Sequence, residues 1–231
     1  MRRALALALF AAACTGDVDA QWQLDHNRII AVRATPPHIP AGATSTIDVF
    51  MGYVGSDVAV VAPDSVAVQS PTSLTTIVSG ATVTAPSATT LAQLRSDMGL
   101  SGSDPVPLEV EIEAGGFEAL KTIYMGDSSD NPTLDMLMVN GQTPPAGSSA
   151  TIVVPANVDV PLFVNADDTV DNINWLTSCG TMNDFDLHDA FLQVQPSDPQ
   201  SGQLAVVLRD ESAGVVWAYW SITAEGSGSA Q

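Results

Sequence analysis

Acidic and amide side chains gather in one stretch of this sequence. Asn165, Asp167, Asp168, Asp171, Asn172 and Asn174 precede Trp175, and Asn183, Asp184, Asp186 and Asp189 follow Gly180. Hard cations such as calcium take about six to eight oxygen ligands. Loops meeting at one end of a β-sandwich could supply them, which makes Asp167, Asp168, Asp171, Asp184 and Asp186 the candidate metal ligands. The spacing matches no EF-hand, because the loop glycine and the closing glutamate are missing. Asp and Asn are also ordinary turn residues, so loop chemistry and solubility explain the same pattern.

A second constellation is Cys179 with His188 nine residues on. A Cys–His nucleophile needs an electropositive site that favours the thiolate. The surrounding acids work against that, so Cys179 reads as a buried structural thiol near Trp175. His26, His38 and His188 are scattered and form no zinc-binding group. No nucleophile elbow, phosphate loop or zincin motif occurs, so the sequence reads as non-catalytic. Trp217 and Trp220 point to opposite faces of a strand. One must enter a core, and the other is a candidate contact for a glycan or protein partner unless packing covers both sides.

Cys14 carries a different chemistry. Met1-Arg2-Arg3 is a short basic start, and residues 4–13 form an uncharged apolar run ending in Ala11-Ala12-Ala13. That is the layout of a secretory signal peptide, and it is about half the length of a membrane span. Ala11-Ala12-Ala13-Cys14 resembles the bacterial lipobox, although Ala11 stands where such motifs most often have Leu. The resemblance implies cleavage before Cys14, a lipid on its thiol, and membrane anchoring at the outer membrane or facing the periplasm. The same alanines also suit ordinary signal peptidase, which would leave Cys14 free to pair with Cys179. If Cys14 is acylated, Cys179 has no partner within the chain.

The chain of 231 residues has a formal net charge of −19, with 26 acidic and seven basic residues. Loss of residues 1–13 removes Arg2 and Arg3 and makes it two charges more negative. Such a surface repels nucleic acid, which is excluded as a partner. From Asp127 onward the sole base is Arg209. Solubility, adaptation to salt and a cation-binding face all predict this composition.

These residues must be positioned by an all-β chain, because short strands alternate with Gly, Pro, Asn and Asp turns. Strands are expected at residues 29–34, at Ile47, Val49 and Met51 with Asp48 and Phe50 on the other face, and along the apolar runs 58–61 and 74–78. A helix over residues 87–98 places Leu91, Leu94 and Met98 at helical spacing, with Thr90-x-x-Gln93 as its capping box and Gly99 as its stop. Residues 108–113 and 117–125 make a hairpin whose three glutamates face solvent. A second series covers residues 134–139, 150–154, 158–164 and 173–176, then a long hairpin from 204–208 to 215–222. The polar stretch 126–132 is the domain boundary.

The organisation expected is therefore a signal peptide (1–13), a lipid-bearing cysteine and tether (14–24), two immunoglobulin-like sandwiches in tandem (25–126 and 127–225) and a Gly/Ser tail (226–231). Arg28-Ile-Ile-Ala-Val-Arg-Ala-Thr-Pro-Pro-x-Ile-Pro-Ala-Gly, Trp175-Leu-Thr-Ser-Cys-Gly180 and Val207-Leu-Arg-Asp210 with Gly214-Val-Val-Trp217 are similar to segments of exported lipoproteins with Ig-like domains, of the myxobacterial type. That resemblance spans most of the chain and implies no activity. The reading is a lipid-anchored, non-catalytic envelope protein with a structural or binding role and an unidentified envelope protein or glycan as partner. The alternative is a calcium- or glycan-binding module built on the acidic loops. No other cofactor is expected.

Overall fold

The computed structural model describes residues 20–55, 57–145, 150–166 and 169–226. Cys14, Asp167, Asp168, the expected signal peptide and most of the tail lie outside them. Two β-sandwiches follow one another along the chain.

In the first, β1 (Arg28–Thr35), β2 (His38–Ile39), β3 (Thr44–Gly52), β4 (Ala59–Val61), β5 (Ser65–Ser70), β6 (Val78–Ser79) and β7 (Thr82–Thr84) precede the helix α1 (Ala88–Met98). The hairpin of β8 (Val106–Ala114) and β9 (Phe117–Met125) completes it. One sheet runs β1-β3-β7-β6, with β4 also on β3, and the other runs β2-β9-β8-β5. The second sandwich has β10 (Leu134–Val139), β11 (Thr151–Pro155), β12 (Asp159–Ala166), β13 (Val170–Thr177), β14 (Thr181–Asn183), β15 (Asp189–Gln193), β16 (Ser201–Asp210) and β17 (Val215–Glu225). Its sheets run β10-β12-β15-β14 and β11-β17-β16-β13.

Both halves share one plan. Taken in order, the strands give an A-B-E-D sheet facing a C-F-G sheet, the immunoglobulin arrangement. In each half a short extra strand, β2 or β11, pairs parallel with the last strand. The fold is all-β, with two Ig-like sandwiches in tandem.

Strand periodicity accounts for the cores. Val106, Leu108, Val110, Ile112 and Ala114 alternate inward along β8 and are buried, while Glu109 and Glu113 face solvent. They join Ile47, Val49 and Met51 of β3 in the first core. The second core gathers Val160, Leu162, Val164, Ile173, Trp175, Leu192, Leu204, Val206 and Leu208. No disulfide crosses either sandwich among the described residues, and Cys179 is a free, buried thiol.

Three local expectations need correction. The apolar run 74–78 is not a strand throughout, because a 3₁₀ segment occupies Thr72–Ile77 before β6 begins. Pro71, at φ −73°, starts the turn, and Leu74 drops into the core. The helix cap is Ser87 and not Thr90: the Ser87 hydroxyl accepts from the Thr90 backbone N–H, which leaves Thr90 inside the first turn. Leu91 and Leu94 are buried, whereas Met98 is exposed. Gly99 does end the helix, in the left-handed conformation at φ 69°.

Candidate functional site

The outer face of β1 and β3 is covered by the second sandwich. Phe50, which shares the polar face of β3 with Asp48, is wholly buried there. It joins Leu24, Ala31, Val58, Leu176, Ala205, Val207, Val215 and Trp217 in a third apolar cluster shared by the two halves. Trp217 stacks on Phe50 with ring centroids 5.4 Å apart and planes 13° from parallel. The Arg33 guanidinium lies 4.1 Å from the Trp217 ring centre and is held by Asp48 at 2.6 Å. Strands β16 and β17 thus serve two cores. Leu204, Val206 and Leu208 fill their own sandwich, while Ala205 and Val207 fill the joint.

Hydrogen bonds flank this apolar centre. The Asn131 amide donates to the Ala34 carbonyl, and its oxygen accepts from the Val215 N–H. Arg209 donates to the Ile30 carbonyl at 2.9 Å and to Asn174 at 2.6 Å. His38 is buried, with Nδ1 3.0 Å from the Asp127 carboxylate and Nε2 2.9 Å from the Ser212 carbonyl. Gln203 donates to Asp57 at 2.8 Å. The Leu24 N–H donates to the Thr177 carbonyl, and the Thr177 N–H donates to the Trp22 carbonyl.

Beside the joint, between β1, β9 and the β16–β17 turn, lies a cleft of about 500 Å³. Its walls include Arg28, Lys121, Arg209, Glu118 and Asp210, with Ile29, Ile30 and Leu120. Lys121 is 7 % exposed and donates to the Ala213 carbonyl. Burial pushes its ammonium down from 10.5 to about 8; Asp210 opposes that and Arg209 adds to it. Burial also lowers the Arg209 guanidinium, against the pull of Asp171.

A base with a depressed folded-state pKa binds fewer protons folded than unfolded between about 8 and 10.5. Stability from this group therefore rises with pH across that window, and the full penalty applies below it. Lys121→Met removes the penalty and also one hydrogen bond worth about 1 kcal/mol. The expected net gain is about 1–2 kcal/mol at pH 7, shrinking by pH 10. Urea midpoints at the two pH values check it, and a loss at pH 7 contradicts it.

Comparison with known proteins adds likenesses of fold. No protein-family model matches the sequence, and none of the curated proteins matches it. Among solved structures, the titin domains Z1Z2 in complex with telethonin share 15 % identity over 87 % of this chain and 99 % of that one, with a TM-score of 0.26. The titin Ig tandem A164–A165 shares 11 % identity over 85 % of this chain and 97 % of that one, with a TM-score of 0.27. Fibronectin(III)-like modules of CbhA from Clostridium thermocellum share 9 % over 87 % and 97 %, with a TM-score of 0.28. The Ig-like assignment stands on strand order and pairing.

The residues singled out from sequence are dispersed. Asp171 lies on β13, where its charge acts on Arg209. Asp184 and Asp186 lie in the turn after β14, Asp184 with a left-handed backbone at φ 53°. Among the described residues no three His, Cys, Asp or Glu side chains converge on a metal position. Trp217 and Trp220 are 8 % and 4 % exposed. The first is spent on the joint, and the second donates its indole N–H to the Pro145 carbonyl at 3.0 Å. Neither presents a face to an outside partner. The Cys179 thiol donates to the Pro199 carbonyl, and burial together with Asp198 pushes it up to about 11. His188 turns instead to the Val164 carbonyl.

Sequence reading missed the joint and the cleft. Their bases stand at positions 28, 121 and 209, and only the topology brings them together. The available signal was the run Leu204-Ala-Val-Val-Leu208, apolar on both faces of its strand.

Proposed function

We propose that the chain is an exported, lipid-anchored protein of the cell envelope whose two sandwiches act as one stiff, non-catalytic arm for structural or binding duty. The observation that carries the arm is the joint. Domain contacts within a chain are commonly polar and permit relative motion. Here a buried Phe50–Trp217 stack sits at the centre, and hydrogen bonds flank it. Ig-like sandwiches are used widely as spacers and adhesion modules, which is an analogy of fold.

The anchor rests on Ala11-Ala12-Ala13-Cys14. Two acyl chains on that thiol suffice for stable membrane attachment. No helix among the described residues is long and apolar enough to cross a membrane. The partner of the arm is an envelope protein or glycan.

Intact mass of the protein recovered from a producing bacterium tests the anchor. The expected species begins at Cys14, carries acyl chains and sediments with membranes, whereas Cys14→Ser moves it to the soluble fraction. An unmodified, soluble wild-type chain refutes the lipid.

A further inference from the structure

We propose that the outer face of the β10-β12-β15-β14 sheet is a docking surface, and that its occupant is a protein segment that sets lysine or arginine beside apolar side chains. The proposal rests on reading the chain as a binding module and is independent of its lipid. The face follows from strand alternation. Val160, Leu162 and Val164 of β12 and Ala190 and Leu192 of β15 enter the second core, and Leu137 and Val139 do the same on β10. The residues between them point outward. They are Met136 and Met138 on β10, Pro161 and Phe163 on β12, and Phe191 on β15. Pairing makes them one patch, with Met138 opposite Phe163 and Pro161 opposite Phe191. Met136 and Phe191 are 49 % and 38 % exposed.

The other sheet faces of this chain give the comparison. The outer face of β16 and β17 is also apolar, and the first sandwich covers it. The β8–β9 hairpin meets solvent with Glu109, Glu111 and Glu113 opposite Thr122, Leu120 and Glu118, where only Leu120 is apolar. A solvated face is thus written with glutamate, and a covered one with apolar residues. The β10-β12-β15-β14 face is of the covered kind. Met and Phe are also the residues enriched at protein interfaces.

Charge sets the kind of partner. Asp189 stands opposite Phe163, and Asp159 is the next outward position of β12 after Pro161. From Asp127 onward the sole Lys or Arg is Arg209, and its guanidinium is turned to the Ile30 carbonyl in the joint. The patch is therefore apolar at its centre and acidic at its margin. A second copy would bring the same carboxylates against these, and an anionic lipid would be repelled, whereas a basic segment is attracted. Size makes the charge necessary. Three strands about 4.8 Å apart, with outward side chains about 6.8 Å apart along each, make a patch of roughly 200 Å². One side of a standard stable interface is about 800 Å². The contact is small, so attraction at the rim has to add to burial at the centre.

Fluorescence anisotropy tests the proposal, with a labelled peptide of alternating lysine and leucine titrated with the soluble Cys14→Ser chain. The expected dissociation constant is about 10–100 μM at about 50 mM salt, rising at least about fivefold at about 300 mM. Peptides with serine in place of leucine, or glutamate in place of lysine, should bind at least about tenfold more weakly. Phe191→Ser and Met136→Ser should each weaken the first peptide by about three- to tenfold. Asp189→Asn should weaken it by about two- to threefold. All three positions are exposed, so these variants keep the fold. Leu120→Ser, at an exposed apolar position of the first sandwich, should change nothing. Equal binding of the serine peptide, displacement by cellohexaose, a dimer of the chain that Phe191→Ser dissolves, or equal effects of Leu120→Ser and Phe191→Ser overturns the proposal. Binding that ignores Phe191→Ser and Met136→Ser refutes this face and leaves a binding role standing, whereas no binding of any probe at millimolar concentration tells against both.

Discussion

Trp217→Ala lowers the free energy of unfolding by about 3–5 kcal/mol and turns one urea transition into two. The size follows from what the side chain touches. Trp217 is 8 % exposed, stacked on Phe50 and covered by the Arg33 guanidinium. Removing a buried tryptophan forfeits its transfer free energy and leaves a cavity that the neighbours fill only in part. The cation–π contact adds about 0.5–2 kcal/mol. Phe50 keeps Tyr219, 5.2 Å away, but loses its parallel partner. The splitting follows from the three-core plan. Each sandwich has its own apolar core, and the cluster around Phe50 and Trp217 couples them. With the centre of that coupling gone, each half unfolds at its own midpoint, which tryptophan fluorescence and far-ultraviolet circular dichroism will report at different urea concentrations. Coincident transitions with an unchanged midpoint would show that the joint does not couple the halves.

Elements whose two faces meet different surroundings were the legible ones. Glu109, Glu111 and Glu113 alternate with core residues on β8, and a period of two can be read straight from that contrast. The long terminal hairpin was legible for another reason, since Asp210-Glu-Ser-Ala-Gly214 separates two apolar runs and carries the turn. Phe50 marks the limit of periodicity, being fully buried on the polar face of β3. Its spacing puts it on the face of Asp48, opposite Ile47, Val49 and Met51, and that much was correct. Periodicity says which residues share a face, but the second sandwich decides whether the face is wet. The same limit applies to Trp217 and Trp220. Their opposite orientation could be read from sequence, whereas the cover over each comes from the first sandwich and from the Pro145 carbonyl. The 3₁₀ segment at Thr72–Ile77 failed differently, because a short apolar run carries no period long enough to separate strand from turn.

Gly180→Ala is expected to cost about 3–4 kcal/mol, although it adds a single methyl group. Gly180 has φ +82°, a conformation that costs an L-residue about 1–2 kcal/mol. The new Cβ would lie 2.3 Å from the Gln193 carbonyl oxygen and 3.0 Å from Val194 Cγ2. The carbonyl cannot step aside cheaply. Gln193 is paired with Asp159 on one side and Thr181 on the other, so β15 is fixed between two neighbours. Relieving the overlap means moving the β14–β15 pair off the core, a distortion worth about 1–3 kcal/mol more. Gly99→Ala is the matched control. Gly99 has a similar φ of +69°, but no atom within 4 Å of the added methyl, so it carries the conformational cost alone. The difference between the two variants in urea midpoint measures the close approach, and equal losses would refute it. This gives the Trp175-Leu-Thr-Ser-Cys-Gly180 motif a physical content. Trp175 and Cys179 fill the second core, the Cys179 thiol donates to the Pro199 carbonyl, and Gly180 lets the chain turn against β15. A motif that first suggests chemistry is in this chain a corner of the scaffold.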